Sequence, residues 1–221
     1  MSRTKLKKFD KLNDMKHVVQ PEREQLMGDN FKLKGNWRKQ FNNHNPIVLE
    51  LGCGKGEYSV GLAKMYPNYN YVGIDIKGSR IYSGAELVEK EKLKNVCFVR
   101  TQIEYIESIF SQEEVDEIWI TFPDPQIKFN RRKKRLTHPL MLAKYRKILK
   151  KKGVINLKTD SLFLHGYTLG VLSQGPYRII SSTHDLYSAN KNDGKLKIKT
   201  YYENLFLEKN QPISHLSFSF L

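Results

Sequence analysis

The chain is predicted to fold as an α/β protein built on a mostly parallel sheet with helices on both faces. Three observations carry that prediction. Apolar runs of strand length alternate with stretches of helical pattern from residue 46 onward, the mark of βαβ units. The first run, Ile47-Val48-Leu49-Glu50-Leu51, opens into a loop of three glycines, Gly52-Cys53-Gly54-Lys55-Gly56. A later run ends in a carboxylate, Gly73-Ile74-Asp75, about 20 residues further on, the place where nucleotide-binding domains keep the acid that takes ribose hydroxyls.

The elements follow in order. Residues 46–51 are expected as the first strand and 55–66 as a helix stopped by Pro67. Residues 70–75 form the second strand, 78–93 a helix, and 96–100 the third strand, with a short helix after it to Phe110. The fourth strand, 115–121, ends at Phe122-Pro123-Asp124-Pro125, where two prolines stiffen the backbone. A helix over 139–150 leads through a turn at Gly153 into a fifth strand, 154–158. Residues 161–174 read as helix and 178–182 as a sixth strand. The stretch 213–221 alternates apolar and polar residues strictly, which predicts a half-buried seventh strand suited to an antiparallel edge.

Residues 1–40 are polar, basic and weakly periodic, and read as an N-terminal arm ordered against the body or a partner. Residues 41–221 then make one domain, long enough for a single large core. Lys and Arg total 38 against 23 Asp and Glu, a formal charge of +15. An excess of that size implies a polyanionic partner, nucleic acid before anionic membrane. No apolar stretch approaches the ~20 residues of a spanning helix, and the first residues carry no apolar signal region. Cys53 and Cys97 have no metal-ligand spacing and suit reduced thiols of a cytoplasmic protein, and the six histidines are scattered. No metal is expected.

The loop spacing is G-x-G-x-G, preceded by Glu50, and not the G-x-G-x-x-G that receives a pyrophosphate. An acid there repels phosphate and suits a cation. S-adenosylmethionine meets both conditions, with a sulfonium, an ammonium and an adenosine ribose but no phosphate. Glu50, Gly52, Gly54, Gly56, Asp75, Gln102 just past the third strand, and Asp124 just past the fourth are expected to share one crevice at the carboxyl ends of the strands. Six of the eight residues from Lys128 to Arg135 are cationic. Such a run is commonly a solvated face or a localisation tag, but beside the crevice it would draw a phosphate backbone inward. Asp160 ends the fifth strand, as a pocket residue or as a helix cap. Thr200-Tyr201-Tyr202-Glu203 offers a hydroxyl and a carboxylate at i, i+3, as pocket residues or as a strand-entry turn.

Leu49-Glu50-Leu51-Gly52-Cys53-Gly54-Lys55-Gly56, Gly73-Ile74-Asp75, Phe122-Pro123-Asp124-Pro125 with Lys128 and the cationic run, Lys158-Thr159-Asp160 and Thr200-Tyr201-Tyr202-Glu203 occur in that order. Together they resemble the tRNA (guanine-N7)-methyltransferase family over about residues 46–210. The resemblance implies a Rossmann-like class I methyltransferase with a seven-stranded sheet, methylating N7 of the variable-loop guanine, tRNA position 46. It implies Glu50, Gly52, Gly54, Gly56, Asp75, Gln102 and Asp124 at the S-adenosylmethionine site, with Asp124 also catalytic. It implies Lys128, Asp160, Thr200, Tyr201, Tyr202 and Glu203 at the substrate, and Asn130, Arg131, Arg132, Lys133, Lys134 and Arg135 on RNA. The expected assembly is a monomer or homodimer. This chain departs from the family at Gln126 and Ile127, where many members carry Trp and then Pro or His. It has Asp75 where many have Glu, and Gln102 where Asp is frequent. Two rival readings are a methyltransferase acting on an exocyclic amine, disfavoured because Gln126-Ile127 replaces the proline and aromatic of such sites, and a non-catalytic RNA-binding protein, disfavoured by the complete glycine loop.

Overall fold

A computed structural model of the protein describes residues 10–189 and 194–221. At its centre lies β2 (Ile47–Leu51), buried along its whole length. It pairs in parallel with β3 (Asn70–Asp75) on one side and β5 (Val115–Thr121) on the other. Strands covered on both faces are near-continuously apolar, as Ile47-Val48-Leu49 and Ile118-Trp119-Ile120 are. β4 (Val96–Arg100) extends the sheet beyond β3, and β6 (Leu149–Thr159) extends it beyond β5. The strand order therefore reverses at β2, and the carboxyl ends of β2 and β5 flank the switch point where such sheets bind ligands.

Each face of the sheet carries its own apolar layer. The helices Glu57–Met65 and Gly78–Lys90 bring Tyr58, Leu62, Ile81 and Ala85 against Val48, Phe98 and Trp119. The helices Pro139–Ile148 and Leu162–Ser173 bring Leu142, Tyr145 and Leu164 against Leu49, Ile118 and Leu157 on the opposite face. The second helix stops at Lys90, short of the expected residue 93, because Lys92 turns into the left-handed region at φ 53°.

The sheet has eight strands where seven were expected. The additional one, β1 (Val18–Val19), comes from the basic arm and pairs in parallel with Phe98 and Val99 of β4. The arm is also anchored by apolar side chains. Leu12 and Trp37 are fully buried, and the Trp37 indole stacks on Phe110 at 5.3 Å while its N–H donates to the Ile109 carbonyl at 3.1 Å. The first residues of the arm, 1–9, lie outside the described residues.

Two further elements differ from expectation. β6 begins at Leu149, and the turn expected at Gly153 is instead a bulge within the strand: Val115 faces Leu149, and Glu117 faces Val154. A Cβ on Gly153 would lie 2.4 Å from Leu149 Cγ, so the bulge closes only on glycine. The alternating strand β8 (Ser214–Phe220) is not an edge. It lies antiparallel between β6 and the true edge strand β7 (Tyr177–Thr183). Its polar side is buried as well: His215 stacks on Trp119 at 6.2 Å, and the segment Gly194–Lys197 packs over the neighbouring positions of β6. No described helix is long and apolar enough to cross a membrane.

Candidate active site

The glycine loop leaves β2 with three residues in the left-handed region, Gly52 at φ 75°, Gly54 at 55° and Gly56 at 70°. They serve different ends. A Cβ on Gly56 would lie 2.4 Å from the Phe98 ring, so this glycine lets the helix Glu57–Met65 pack on the sheet. A Cβ on Gly52 would meet nothing within 4 Å, and one on Gly54 only the Gly52 carbonyl at 4.0 Å. Gly52 and Gly54 thus keep an open cradle bare of side chains.

Asp75 closes the cradle from β3. One carboxylate oxygen accepts the Gly54 N–H at 2.9 Å and the other the Lys77 N–H at 2.8 Å, which leaves each oxygen a lone pair for a ligand. Beneath the loop, the buried Glu50 accepts the Ser59 N–H at 3.0 Å, the Ser59 hydroxyl at 2.5 Å and the Thr121 hydroxyl at 2.6 Å. Burial pushes its carboxyl up to about 7 in spite of these bonds.

Two hollows lie near Asp75, one lined by its hydrogen-bond partner Gly54 and the other by the next residue, Ile76. A narrow one of about 70 Å³ is lined by Glu50, Gly52, Gly54, Thr121, Thr200 and Tyr202, among others. A wider one of about 460 Å³ is lined by Ile76, Thr101 and Gln102 from the sheet and by Gln20, Pro21 and Leu26 from the arm. The Arg100 guanidinium donates to Gln20 at 2.8 Å and ties the arm to that wall. An adenosine cofactor without phosphate fits this pair of hollows, with a carboxylate near both and a second one under the narrow end.

After β5 the chain turns through a strained corner. Phe122 and Gln126 both adopt φ 47°, a left-handed conformation costing a non-glycine residue on the order of 1–2 kcal/mol. Between them Asp124 is exposed, and its Oδ1 accepts the Gln126 N–H at 2.9 Å. Its Oδ2 has no hydrogen-bond partner among the described residues.

A family model described as "Putative methyltransferase" matches residues 44–216. A tRNA (guanine-N(7)-)-methyltransferase from Christiangramia forsetii is 49% identical over 219 residues, covering 98% of each chain. The enzymes of that name from Bacteroides fragilis and Cytophaga hutchinsonii are 43% and 38% identical, covering 99% and 100% of this chain and 86% and 99% of theirs. The chain belongs to the tRNA (guanine-N7)-methyltransferase family. Among solved structures, the 16S rRNA methyltransferase KamB aligns with a TM-score of 0.65 at 12% identity, covering 84% of this chain and 93% of that one. An antibiotic-related methyltransferase aligns at 0.60 and 18% identity, covering 93% and 96%. At those identities they bear on the fold alone, which is that of Rossmann-like methyltransferases.

Within this methyltransferase fold, the expected site residues do not all share one crevice. Glu50, Gly52 and Gly54 line the narrow hollow, and Thr200 and Tyr202 meet them there from the far end of the chain. Gln102 lines the wider hollow instead. Gly56 supports the loop without lining either. Thr200-Tyr201-Tyr202-Glu203 is not a strand-entry turn but the start of the helix Tyr201–Glu208, closed by a capping box. The Thr200 hydroxyl accepts the Glu203 N–H, and the Glu203 carboxylate accepts the Thr200 N–H.

Two residues of the expected contact set are buried. Glu203 is fully buried, paired with Lys158 at 2.7 Å and accepting the Tyr187 hydroxyl at 2.6 Å. Its oxygens are engaged within the protein, by Lys158, Tyr187 and the Thr200 N–H. Arg135 is 6% exposed. Its guanidinium donates to the carbonyls of Pro125, Gln126 and Ile127 at 3.1–3.4 Å and lies over the Phe163 and Tyr167 rings. It fastens the Asp124 corner from inside, unlike the exposed cations before it. Lys128, Asn130, Arg131, Lys133 and Lys134 are exposed, and Arg132 is half-buried. Asp160 is half-buried, and burial raises its carboxyl above the usual range. The helix after it is capped by Ser161, whose hydroxyl accepts the Leu164 N–H at 3.2 Å, so Asp160 is not the cap.

Sequence reasoning passed over Thr121, Lys55 and Arg80, which also line the narrow hollow. Thr121 was legible as the last residue of a strand at the switch point. Arg80, donating to the Tyr202 hydroxyl at 3.2 Å, carried no signal beyond its place in the first turn after β3.

Proposed function

We propose that the chain transfers a methyl group from S-adenosylmethionine to N7 of the variable-loop guanine of tRNA, position 46, in the cytoplasm. The observation that carries this reading is that the bare glycine cradle and the exposed cationic loop lie at the same edge of the sheet, joined by the Asp124 corner.

Glu50 and the cradle would take the cationic methionine end, Asp75 the ribose hydroxyls, and Ile76 with Gln102 the adenine. When bound, the cofactor supplies an electrophilic methyl. Guanine N7 carries a lone pair and no proton, so no general base is required, and the residues have orientation and charge to supply. Alignment of this kind is worth up to ~7–11 kcal/mol in the best intramolecular cases. Asp124, held by its own corner with Oδ2 outward, would steady the purine as positive charge develops on it. Asp160 is the better acceptor for the guanine N1–H and N2–H₂, because Glu203 is spent on Lys158, Tyr187 and Thr200. Lys128, Tyr201 and Tyr202 would border the base, and exposed cations from 130 to 134 would meet phosphate.

Incubation with labelled methyl donor and bulk tRNA, followed by nucleoside analysis, tests the reading. N7-methylguanosine is expected. Label on an exocyclic amine would transfer the chain to the first rival reading, and absence of label to the second.

A further inference from the structure

Phe129 is 76% exposed near the start of the cationic loop. It opens the tight turn Phe129–Lys134, next to Lys128 and Asn130, both exposed. The Arg132 guanidinium lies over the ring at 4.0 Å and donates to the Phe129 carbonyl at 3.2 Å. One face of the ring is thus backed by a cation, and with that exposure the other is open to solvent. A ring in this position buries too little surface to support folding, and a loop that only attracts phosphate needs no aromatic residue.

We propose that Phe129, backed by Arg132, is a stacking platform for an unpaired base of the RNA. This rests on the tRNA reading and adds to it a contact of a different kind. Cations fix a backbone without reading or holding bases, whereas an aromatic face holds any splayed base by stacking. The mount suits the purpose. Arg135 binds the carbonyls of residues 125–127 from inside, so both ends of the segment carrying the ring are fastened to the Asp124 corner. The guanidinium behind the ring leaves its outer face for a base and adds a cation–π contact.

The test is tRNA binding by the full chain at several salt concentrations, for wild type and for Phe129→Ala, Phe129→Tyr, Phe129→Leu and Lys133→Ala. Phe129→Ala is expected to weaken binding about 5- to 150-fold, the range of one base–aromatic stack. It should do so equally at every salt concentration, without altering the melting temperature or S-adenosylmethionine affinity. Tyr should restore binding and Leu should not. Lys133→Ala should instead flatten the slope of log K against log salt by about 0.7. A Phe129→Ala protein within twofold of wild type, or full rescue by Leu, would overturn the platform while leaving tRNA binding standing. A wild-type protein that fails to bind tRNA would overturn the tRNA reading itself.

Discussion

The Glu50 carboxylate accepts the Thr121 hydroxyl at 2.6 Å and so bridges β2 to β5 across the switch point. The same group is buried and titrates near 7. Its folded-state value exceeds the unfolded one, so the folded protein holds an extra proton between about 4.5 and 7. The stability it contributes is present below the unfolded value and is lost as pH rises through 7, by about 3 kcal/mol at most. Denaturation across pH 5–8 should show that decline, and Glu50→Gln should remove it. A cation seated beside Glu50 would expel the proton. Calorimetry of S-adenosylmethionine binding at pH 6 in buffers of different ionisation heats should therefore register proton release in wild type and none in Glu50→Gln. Heats that do not depend on the buffer would remove Glu50 from the cation site.

Asp124→Ala should nearly abolish methyl transfer with the fold intact, since the side chain is exposed and its one internal bond is to the Gln126 N–H. Asp124→Asn separates shape from charge. The amide oxygen still accepts that N–H and can keep the corner, so a large loss of kcat in Asn assigns the effect to charge. Full activity in Asn would leave only geometry.

Lys158 and Glu203 should behave as structural partners, and Asp160 as a substrate contact. Lys158→Met strands a buried carboxylate and should cost about 3–5 kcal/mol in denaturant unfolding. Adding Glu203→Gln should recover part of it, because the neutral amide still accepts from Tyr187. Asp160→Asn should leave stability near wild type and lower kcat/KM on tRNA by about 100-fold or more, the penalty of an unpaired hydrogen-bonding site. If Glu203→Gln lost activity at unchanged stability, the two roles would have to be exchanged.

Arg135→Lys is a sharper change than its charge suggests. Lysine keeps the cation but not the planar fork that reaches three successive carbonyls, nor its stacking on Phe163 and Tyr167. Both Arg135→Lys and Arg135→Ala should lower kcat while leaving the salt slope of tRNA binding unchanged. A lysine variant that keeps full turnover while alanine flattens the slope would return Arg135 to the RNA surface.

Much of the fold was legible because its signals are local. β3, β4 and β5 begin and end where their apolar runs meet polar or turn residues. Trp37 was not: Phe31 and Phe41 beside it form an apolar cluster too short to show a period, and the groups that bury it, Phe110 and Ile109, lie far along the chain. The capping box of Thr200 and Glu203 was written in the sequence as hydroxyl and carboxylate three apart, yet the same spacing serves a pocket equally well. A run of cations states charge and not direction. Only packing distinguishes Arg135, under two aromatic rings, from Lys133 in water.

The position of β8 has a consequence for how the chain is made. Among the described residues β7 pairs with β8 alone, and β8 lies between β7 and β6 although it follows both in sequence. During synthesis β7 therefore leaves the ribosome before the strand it pairs with, and β6 meanwhile presents a bare hydrogen-bonding edge. The nascent chain has to hold that half of the sheet unfinished until residues 214–220 insert as a wedge. Aggregation, or capture by a chaperone, is most to be expected in that interval.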